Sequence, residues 1–400
     1  MKRFIVLLDK IPAKTSHCCL VNQQCGHTKT WVEVSRSALR HNITNYKKIL
    51  GPIAIAPVIK SNAYGHGLNI IAQMLEQLSD VGLLCVVSLT EAIDLRMQGV
   101  TKNILVLSIV DADLDYAVDF DIQLVVFESI TLKELNNRAC AKKKQVRVHF
   151  KFDTGLSRLG VFEPMVLSLI EEALVMPGII IEGIFSHLAN SEQHNQSFAR
   201  HQINRFITFI QMLELKGIMI PTKHITCSAA ITALSASHLS LARCGVGIYG
   251  LWPSAANKLV TEQTYPEFSL KPVLQWKTKP IQIKHIPAGS TIGYDLTYRT
   301  PYDATIAVLP VGYWDGYDRG FSNKARVLVR GATAPVVGRI AMNLIMVDVT
   351  HIPGIELSDE VTLLGQHEAI SAHSLAQLID TINYEVVTRI NPLIKRIAVD

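Results

Sequence analysis

The stretch IAPVIKSNAYGHG, residues 55–67, joins a short apolar strand to a polar, glycine-punctuated turn, and a lysine stands at the junction. The strand would hold Lys60 on rigid backbone while the turn opens a crevice around it. A lysine in such a crevice loses solvation, which lowers its pKa and makes its amine a nucleophile. A Schiff base with a carbonyl cofactor needs such an amine. The alternative is a strand-end lysine that simply points at water.

Outward from this stretch, residues 53–250 alternate short β-rich runs with helical segments. Residues 68–78, 89–99 and 197–217 carry apolar residues at the helical period of three and four. About eight strand–helix units in roughly 200 residues predict an α/β fold, a TIM-type (β/α)8 barrel. An open doubly wound sheet is the alternative, but no GxGxxG follows the first strand. The candidate strands are IAPVIK, LLCVVS, ILVLS, LVVF, VRVHFKFD, GIIIEGIFSHL, HITCSA and GVGIYG.

After Pro253 the pattern changes to β-rich segments separated by turn signals, with few helical periods before ISAHSLAQLIDTI. Those segments are VLQWKTKPIQIKHI, ATIAVLPVGY, ARVLVRGATAPVVG, IMVDVT and EVTLLG. The sequence therefore predicts a barrel domain that ends at residue 265 and a mostly β C-terminal domain over 266–400.

Composition excludes several classes of protein. The chain has 400 residues, a net charge of +5, and no basic stripe with interleaved aromatic residues, so no nucleic-acid partner is predicted. No apolar run reaches about 18 residues, so no membrane span is predicted. The start, MKRFIVLLDK, imitates a signal peptide, but its apolar stretch is too short, which favours the cytoplasm.

The cysteines and histidines predict neither disulfides nor a metal site. Seven cysteines at irregular spacing are not a disulfide framework. His17, Cys18, Cys19, Cys25 and His27 cluster near the start of the chain without a standard zinc spacing.

Two strand ends offer a phosphate cradle. In a barrel, catalytic groups lie at the C-terminal ends of the strands, and phosphate often binds beyond strands seven and eight. Ser228 ends the seventh candidate strand, and Gly245 and Val246 belong to the eighth. A hydroxyl and backbone N–H groups freed by glycine suit a phosphate. Alternatively, Ser228 caps the next helix and Gly245 only makes a turn.

The segment VIKSNAYGHG closely resembles the pyridoxal-phosphate lysine motif of bacterial alanine racemases, which are fold-type III enzymes. RCGVGIYG, residues 243–250, resembles R-x-G-I-x-x-Y-G of that family, and HFKFDTGLSRLGV, residues 149–161, resembles H-L-K-x-D-T-G-M-x-R-L-G. Eight such segments, these three included, occur in consistent order over residues 29–400. We therefore expect the barrel domain to span residues 29–265 and residues 1–28 to form a disordered N-terminal extension. The resemblance implies that Lys60 carries pyridoxal 5'-phosphate and that Tyr64 touches its phosphate.

The resemblance also implies roles for other residues around the cofactor. Arg243 would lie beside the pyridine nitrogen and, because it cannot give up its proton, leave that nitrogen unprotonated. A weaker electron sink suits simple proton exchange at Cα. The remaining implied cofactor residues are His187, Ser228, Gly245, Val246 and Tyr384.

On the substrate side, the resemblance implies that Arg158 meets the substrate carboxylate or the cofactor's phenolate oxygen. Lys151 matches a lysine that is often carbamylated in the family. PVGYWDGYDRG supplies Tyr313 at the substrate entrance, and GRIAMNLIMVDVT supplies Met342, whose N–H would meet the substrate carboxylate.

The second base is implied by IGYDLTY, which resembles S-Y-G-x-x-Y and makes Tyr294 the catalytic tyrosine. Racemisation needs a proton acceptor on each face of Cα. In the family this tyrosine comes from the other subunit, so the resemblance implies an obligate homodimer with shared active sites.

Asn343 departs from the family, which usually has aspartate there. Relatives that racemise serine carry asparagine there, and a site that hydrogen-bonds a hydroxyl favours substrates that have one.

The resemblance as a whole implies an amino-acid racemase that interconverts L- and D-alanine and supplies D-alanine for peptidoglycan. A serine or broad-range racemase is one alternative, and a non-catalytic pyridoxal-phosphate carrier is another.

Overall fold

The computed structural model describes residues 29–400, so the sequence-based interpretations of residues 1–28 lie outside it. The strands are β1 Thr30–Ser35, β2 Ala54–Pro57, β3 Leu83–Ser88, β4 Asn103–Ile109, β5 Gln123–Val126, β6 Val146–Lys151, β7 Ile179–Phe185, β8 Thr222–His224, β9 Leu241–Cys244, β10 Leu274–Thr278, β11 Gln282–Ile286, β12 Thr291–Ile292, β13 Tyr298–Arg299, β14 Ala304–Leu309, β15 Arg326–Val329, β16 Ala332–Val337, β17 Ile345–Asp348, β18 Val361–Leu364 and β19 Lys395–Val399.

The helices alternate with the strands in the first part of the chain and become rare after residue 270. They are α1 Arg36–Leu50, α2 Lys60–Tyr64, α3 Leu68–Glu76, α4 Leu89–Met97, α5 Asp115–Asp119, α6 Ser129–Ala141, α7 Glu163–Leu174, α8 Ser197–Leu215, α9 Ser228–Ala233, α10 Ala255–Thr264, α11 Ala372–Leu378 and α12 Asn383–Thr388.

Strands β2 to β9 form a parallel barrel, which confirms the predicted fold. A six-stranded parallel sheet runs from β3 to β8, and β2 pairs in parallel with β9. Bridges from Ile55 to Val81 and from Val58 to Cys85 join β2 to β3. The Ser240 N–H donates to the Lys223 carbonyl at 3.2 Å and holds β8 near β9.

Two apolar clusters cover the two faces of the barrel strands. Leu84 and Val86 of β3 belong to the large core shared with the helices, whereas Cys85 between them belongs to a small cluster with Ala56 and Leu105. Successive strand residues point to opposite faces, so the small cluster fills the barrel interior. Burial on both faces explains the near-continuous apolar runs of the candidate strands.

The last two barrel strands differ from their predicted positions. The seventh strand is β8, so Ser228 begins α9 instead of ending a strand. The eighth is β9, with the sequence LARC, and residues 246–249 form a 3-10 turn. Gly245 and Gly250 suit the backbone of a turn better than a strand interior.

The C-terminal part of the chain is built on a nine-stranded sheet in the order β11-β14-β17-β16-β15-β18-β10-β1-β19. The predicted β-rich segments all contribute strands to it. β1 enters from the other end of the chain, antiparallel to β10 and parallel to β19. The boundary at residue 265 stays a prediction, but the first described strand lies in the second sheet and not in the barrel.

Within residues 29–400, no helix is both long enough and apolar enough to cross a membrane. The same residues contain no group of three or more histidine, cysteine, aspartate or glutamate side chains that could hold a metal ion.

Candidate active site

Lys60 follows β2 after two residues and begins a left-handed turn, α2. The Ile59 N–H donates to the Cys85 carbonyl at 2.8 Å and fixes the end of β2 against β3. Residues 61–63 then all have φ between +52° and +55°. Each non-glycine residue in this conformation costs about 1–2 kcal/mol, so the turn persists only because its surroundings hold it.

Two side chains stabilise the left-handed turn. Glu91, in the first turn of α4, accepts the Ser61 N–H at 2.6 Å and the Val87 N–H at 3.0 Å. Asn62 accepts the Leu68 N–H at 2.9 Å, which links the turn to α3. The Glu91 carboxylate therefore ties the residue after Lys60 to the end of a neighbouring barrel strand.

The C-terminal domain closes over the same turn. A Cβ on Gly65, where φ is +82°, would lie 2.0 Å from the Val387 carbonyl oxygen of α12. Arg396 in β19 donates from Nη2 to the Gly65 carbonyl at 2.9 Å. Backbone from both halves of the chain thus meets beside Lys60.

A cavity of about 620 Å³ opens at the C-terminal ends of the barrel strands. Four cations, Lys60, Lys151, Arg158 and Arg243, line it together with one carboxylate, Glu192. This balance favours an anionic ligand. The other sequence-predicted residues in its lining are Tyr64, His187, Ser228, Gly245, Val246 and Tyr384.

The two lysines in the cavity have lowered pKa values. Burial lowers the pKa of Lys60, and the Arg158 charge lowers it further, while Glu91 opposes both. Burial lowers the pKa of Lys151 to about 8, with further lowering by Arg243, Arg158 and Lys60. Loss of solvation and crowding of like charge both favour the neutral amines, and a neutral amine is the nucleophile.

Arg243 is buried at the base of the cavity and has only neutral partners. Its Nη2 donates to the Ser186 carbonyl at 2.7 Å, and its Nη1 meets His224 Nδ1. His224 Nε2 lies 3.0 Å from His149 Nδ1. Burial, followed by the arginine charge, lowers the pKa of His149 to about 3, and burial lowers that of Arg243 to about 10. The lowered pKa values favour neutral imidazoles, so Arg243 carries the positive charge of this cluster.

The cavity wall around Ser228 has the donors of an anion site. The Ser228 hydroxyl accepts the N–H groups of Gly245 at 2.9 Å and Gly247 at 3.3 Å. Its own proton can turn to the Cys244 sulfur, 3.5 Å away, or to a ligand. A Cβ on Gly245 would lie 2.7 Å from the Tyr64 hydroxyl, so glycine keeps this corner open. The Tyr384 hydroxyl, on α12, donates to Glu192 at 2.9 Å.

Comparison with known proteins decides the family. The family models described as alanine racemase, N-terminal domain, and alanine racemase, C-terminal domain, match residues 34–253 and 273–398. The chain belongs to the alanine racemase family.

Relatives in this family match nearly the whole chain. Alanine racemase 2 of Caldanaerobacter subterraneus subsp. tengcongensis is 37% identical, covering 92% of this chain and 94% of that protein. The alanine racemase of Syntrophobacter fumaroxidans is 38% identical, with 89% and 94% covered. The solved alanine racemase of Clostridium difficile 630 has a TM-score of 0.86 at 33% identity, with 94% and 97% covered.

Four residues predicted from the alanine racemase resemblance lie outside the cavity of their own chain. Tyr294 is 70% exposed, Met342 54% and Tyr313 44%, and Asn343 is also exposed. The Tyr313 N–H donates to the Ala341 carbonyl at 3.1 Å, which places Tyr313 beside Met342 on the C-terminal domain. Within one chain, these residues do not line the cavity that contains Lys60.

The polar cluster behind Arg243 was not predicted from the sequence. His149 Nε2 bonds Gln123 at 2.9 Å, so β5, β6, β8 and β9 all contribute to it. A signal was present at Gly183, where a Cβ would lie 2.1 Å from His149 Nδ1. A glycine inside a strand often marks a close approach, here of an imidazole in the barrel interior.

Proposed function

We propose that this protein interconverts L- and D-alanine with pyridoxal 5'-phosphate, which Lys60 holds covalently. The observation that carries the proposal is the placement of Lys60. It lies at the end of a barrel strand, in a cationic cavity, with a lowered pKa and an anion cradle in the same cavity. Membership of both halves of the chain in the alanine racemase family supports it.

The residues present fit this cofactor at both ends. The Ser228 hydroxyl, the open corner at Gly245 and the tyrosines Tyr64 and Tyr384 suit a phosphate. The Arg243 guanidinium, with His187 Nδ1 at 3.4 Å, suits a pyridine nitrogen that accepts a hydrogen bond. Pyridoxal phosphate, when bound, supplies the electron sink that stabilises negative charge at Cα.

Lys60 is the proposed base on the D face of Cα. An amine with an ordinary pKa of 10.5 is almost fully protonated at neutral pH and cannot take a proton. Burial and the Arg158 charge lower that pKa, which brings the amine closer to the range in which general bases work. Arg158 also lines the cavity, where it can hold the substrate carboxylate. Lys151, crowded by cations, is the proposed carbamylation site.

Tyr294 of the partner subunit is the proposed base on the L face. Tyr294 is exposed and does not line the cavity of its own chain, so a site that contains both Tyr294 and Lys60 requires a second copy of the chain. We therefore propose an obligate homodimer, in which Met342 and Tyr313 reach the partner's cavity together with Tyr294. The proposed role is to make D-alanine in the cytoplasm for cell-wall peptidoglycan.

The test is a racemisation assay of the purified protein on L-alanine and L-serine with added pyridoxal phosphate, read by chiral chromatography. Alanine well ahead of serine is the expected result. Serine equal or ahead would move the proposal to serine racemisation and make Asn343→Asp the next variant. Turnover of neither substrate would reject racemisation and favour a pyridoxal-phosphate carrier.

A further inference from the structure

Among residues 29–400, Glu192 is the one carboxylate that lines the cavity. It bonds Tyr384, whose ring centroid lies 6.2 Å from that of Tyr64. Its Oε1 accepts the Tyr384 hydroxyl proton at 2.9 Å. A tyrosine hydroxyl has a single proton to donate. The hydrogen bond to Glu192 therefore uses the donor that a phosphate at this site would need from Tyr384.

Within its own chain, the Glu192 carboxylate is bound by a hydroxyl and not by a cation. Among the ion pairs of residues 29–400, none involves Glu192, and its side-chain partner is Tyr384. Burial raises the pKa of Glu192, which the Tyr384 hydrogen bond opposes. Burial also raises the pKa of Tyr64, with smaller contributions from nearby thiols and from Glu192. The carboxylate bonds Tyr384, which lies against Tyr64, so its charge would repel a phosphate that the two tyrosines hold.

We propose that Glu192 competes with phosphate for the Tyr384 hydroxyl, and that this carboxylate sets how tightly the site retains its phosphate-bearing cofactor. The inference rests on the proposed function. On loading, the Tyr384 proton turns from the Glu192 carboxylate to a phosphate oxygen, which exchanges one hydrogen bond for another and changes no covalent bond of Tyr384 or Glu192. Glu192 acts through Tyr384 and through its charge, so its presence weakens cofactor binding.

The backbone of Glu192 is anchored independently of its side chain. The Glu192 carbonyl accepts the Ser254 hydroxyl at 2.5 Å, and the neighbouring Ser191 hydroxyl lies 3.1 Å from the Cys227 sulfur. The loop after β7 therefore keeps these contacts when the Glu192 carboxylate is removed. This separation makes the side chain testable by substitution.

The experiment measures the dissociation constant of pyridoxal 5'-phosphate by equilibrium dialysis on the full chain. Glu192→Ala, which frees Tyr384 and removes the charge, is expected to tighten binding roughly tenfold. Glu192→Gln keeps an acceptor for Tyr384 and removes only the charge, so a smaller gain is expected. Glu171→Ala, at an exposed position of α7, is the control and should change nothing.

A double-mutant cycle with Tyr384→Phe isolates the competition. Loss of the hydroxyl should weaken binding by less than about threefold when Glu192 is present and by about tenfold in the Glu192→Ala background. Unchanged or weaker binding in Glu192→Ala, or equal effects of Tyr384→Phe in both backgrounds, would overturn the inference. Failure of the unaltered chain to bind pyridoxal phosphate would instead reject the proposed function.

Discussion

The two proposed bases lie on turns with the same backbone strain but in opposite surroundings. Residues 61–64 after Lys60 and residues 295–296 after Tyr294 all have positive φ, although none is glycine. The Lys60 turn is half-buried and held by Glu91 and Asn62. The Tyr294 turn is exposed, and its Asp295 carboxylate lies 3.5 Å from the Arg339 guanidinium at the surface.

This difference distinguishes the two halves of the proposed site. Strand ends and buried side chains organise the barrel half within one chain. The exposed half carries Tyr294, Tyr313, Trp314 and Met342 on the C-terminal domain. Large exposed apolar patches of this kind mark interaction surfaces, which supports the proposed homodimer.

Removing the barrel base should have the largest effect. Lys60→Ala deletes both the cofactor attachment and one proton acceptor, so racemisation should fall by about 10⁴-fold or more. The measurement is chiral chromatography together with the absorbance of the bound cofactor. Lys284→Ala, at an exposed lysine of β11, is the matched control. Retention of more than a few per cent of the activity would show that Lys60 is not the base.

Removing the exposed base should separate the two faces of Cα. Tyr294→Phe should lower racemisation by about 10²–10³-fold, while Lys60 still exchanges the α-proton of D-alanine with deuterated water. Mass spectrometry measures the exchange, and Tyr116→Phe, at an exposed tyrosine of the barrel, is the control. Loss of both reactions in parallel would contradict separate roles for the two bases.

Mixed dimers test whether those roles are shared between subunits. Co-expressed Lys60→Ala and Tyr294→Phe chains should recover about a quarter of the unaltered activity, because half the dimers are mixed and each has one intact site. No recovery from confirmed mixed dimers would mean that both bases act within one chain.

The contact between the two regions can be broken at Gly65. Gly65→Ala should lower the free energy of unfolding by about 3 kcal/mol, because its Cβ would meet the Val387 carbonyl oxygen in addition to the strain of positive φ. Gly51→Ala has positive φ but open space around its Cβ, so about 1 kcal/mol is expected. Urea unfolding of both variants measures the difference, and equal losses would show that the α12 contact yields without cost.

The smallest effect concerns the pH dependence of cofactor capture by cofactor-free protein. The neutral Lys60 amine reacts, so the rate should rise with pH and level off above the lowered pKa of Lys60. Glu91 raises that pKa, so Glu91→Gln should move the curve to lower pH. Stopped-flow absorbance follows the reaction, with Glu171→Gln as the control. A shift to higher pH would mean that distortion of the turn outweighs the charge.

The barrel half of the site was more predictable from sequence than the exposed half. The residues of VIKSNAYGHG and RCGVGIYG are close in sequence to the backbone features that position them, and ten predicted residues line one cavity. The distance between Tyr294 and Lys60 in one chain depends on how two domains pack, which local patterns do not encode. The hydrogen bond from Tyr384 to Glu192 joins residues 192 positions apart and was also missed.

The sequence by itself determined the alternation of strands and helices and the change to β structure after residue 253, because periodicity and turn chemistry are local. The roles of the site residues were implied by the family resemblance. Only the tertiary structure decided that β1 pairs with β10 and β19, about 240 and 365 residues away. It also decided that four barrel strands bring His149, His224, Gln123 and Arg243 together. Such groupings depend on strand register and on the packing of distant segments, so they form only when the whole chain is folded.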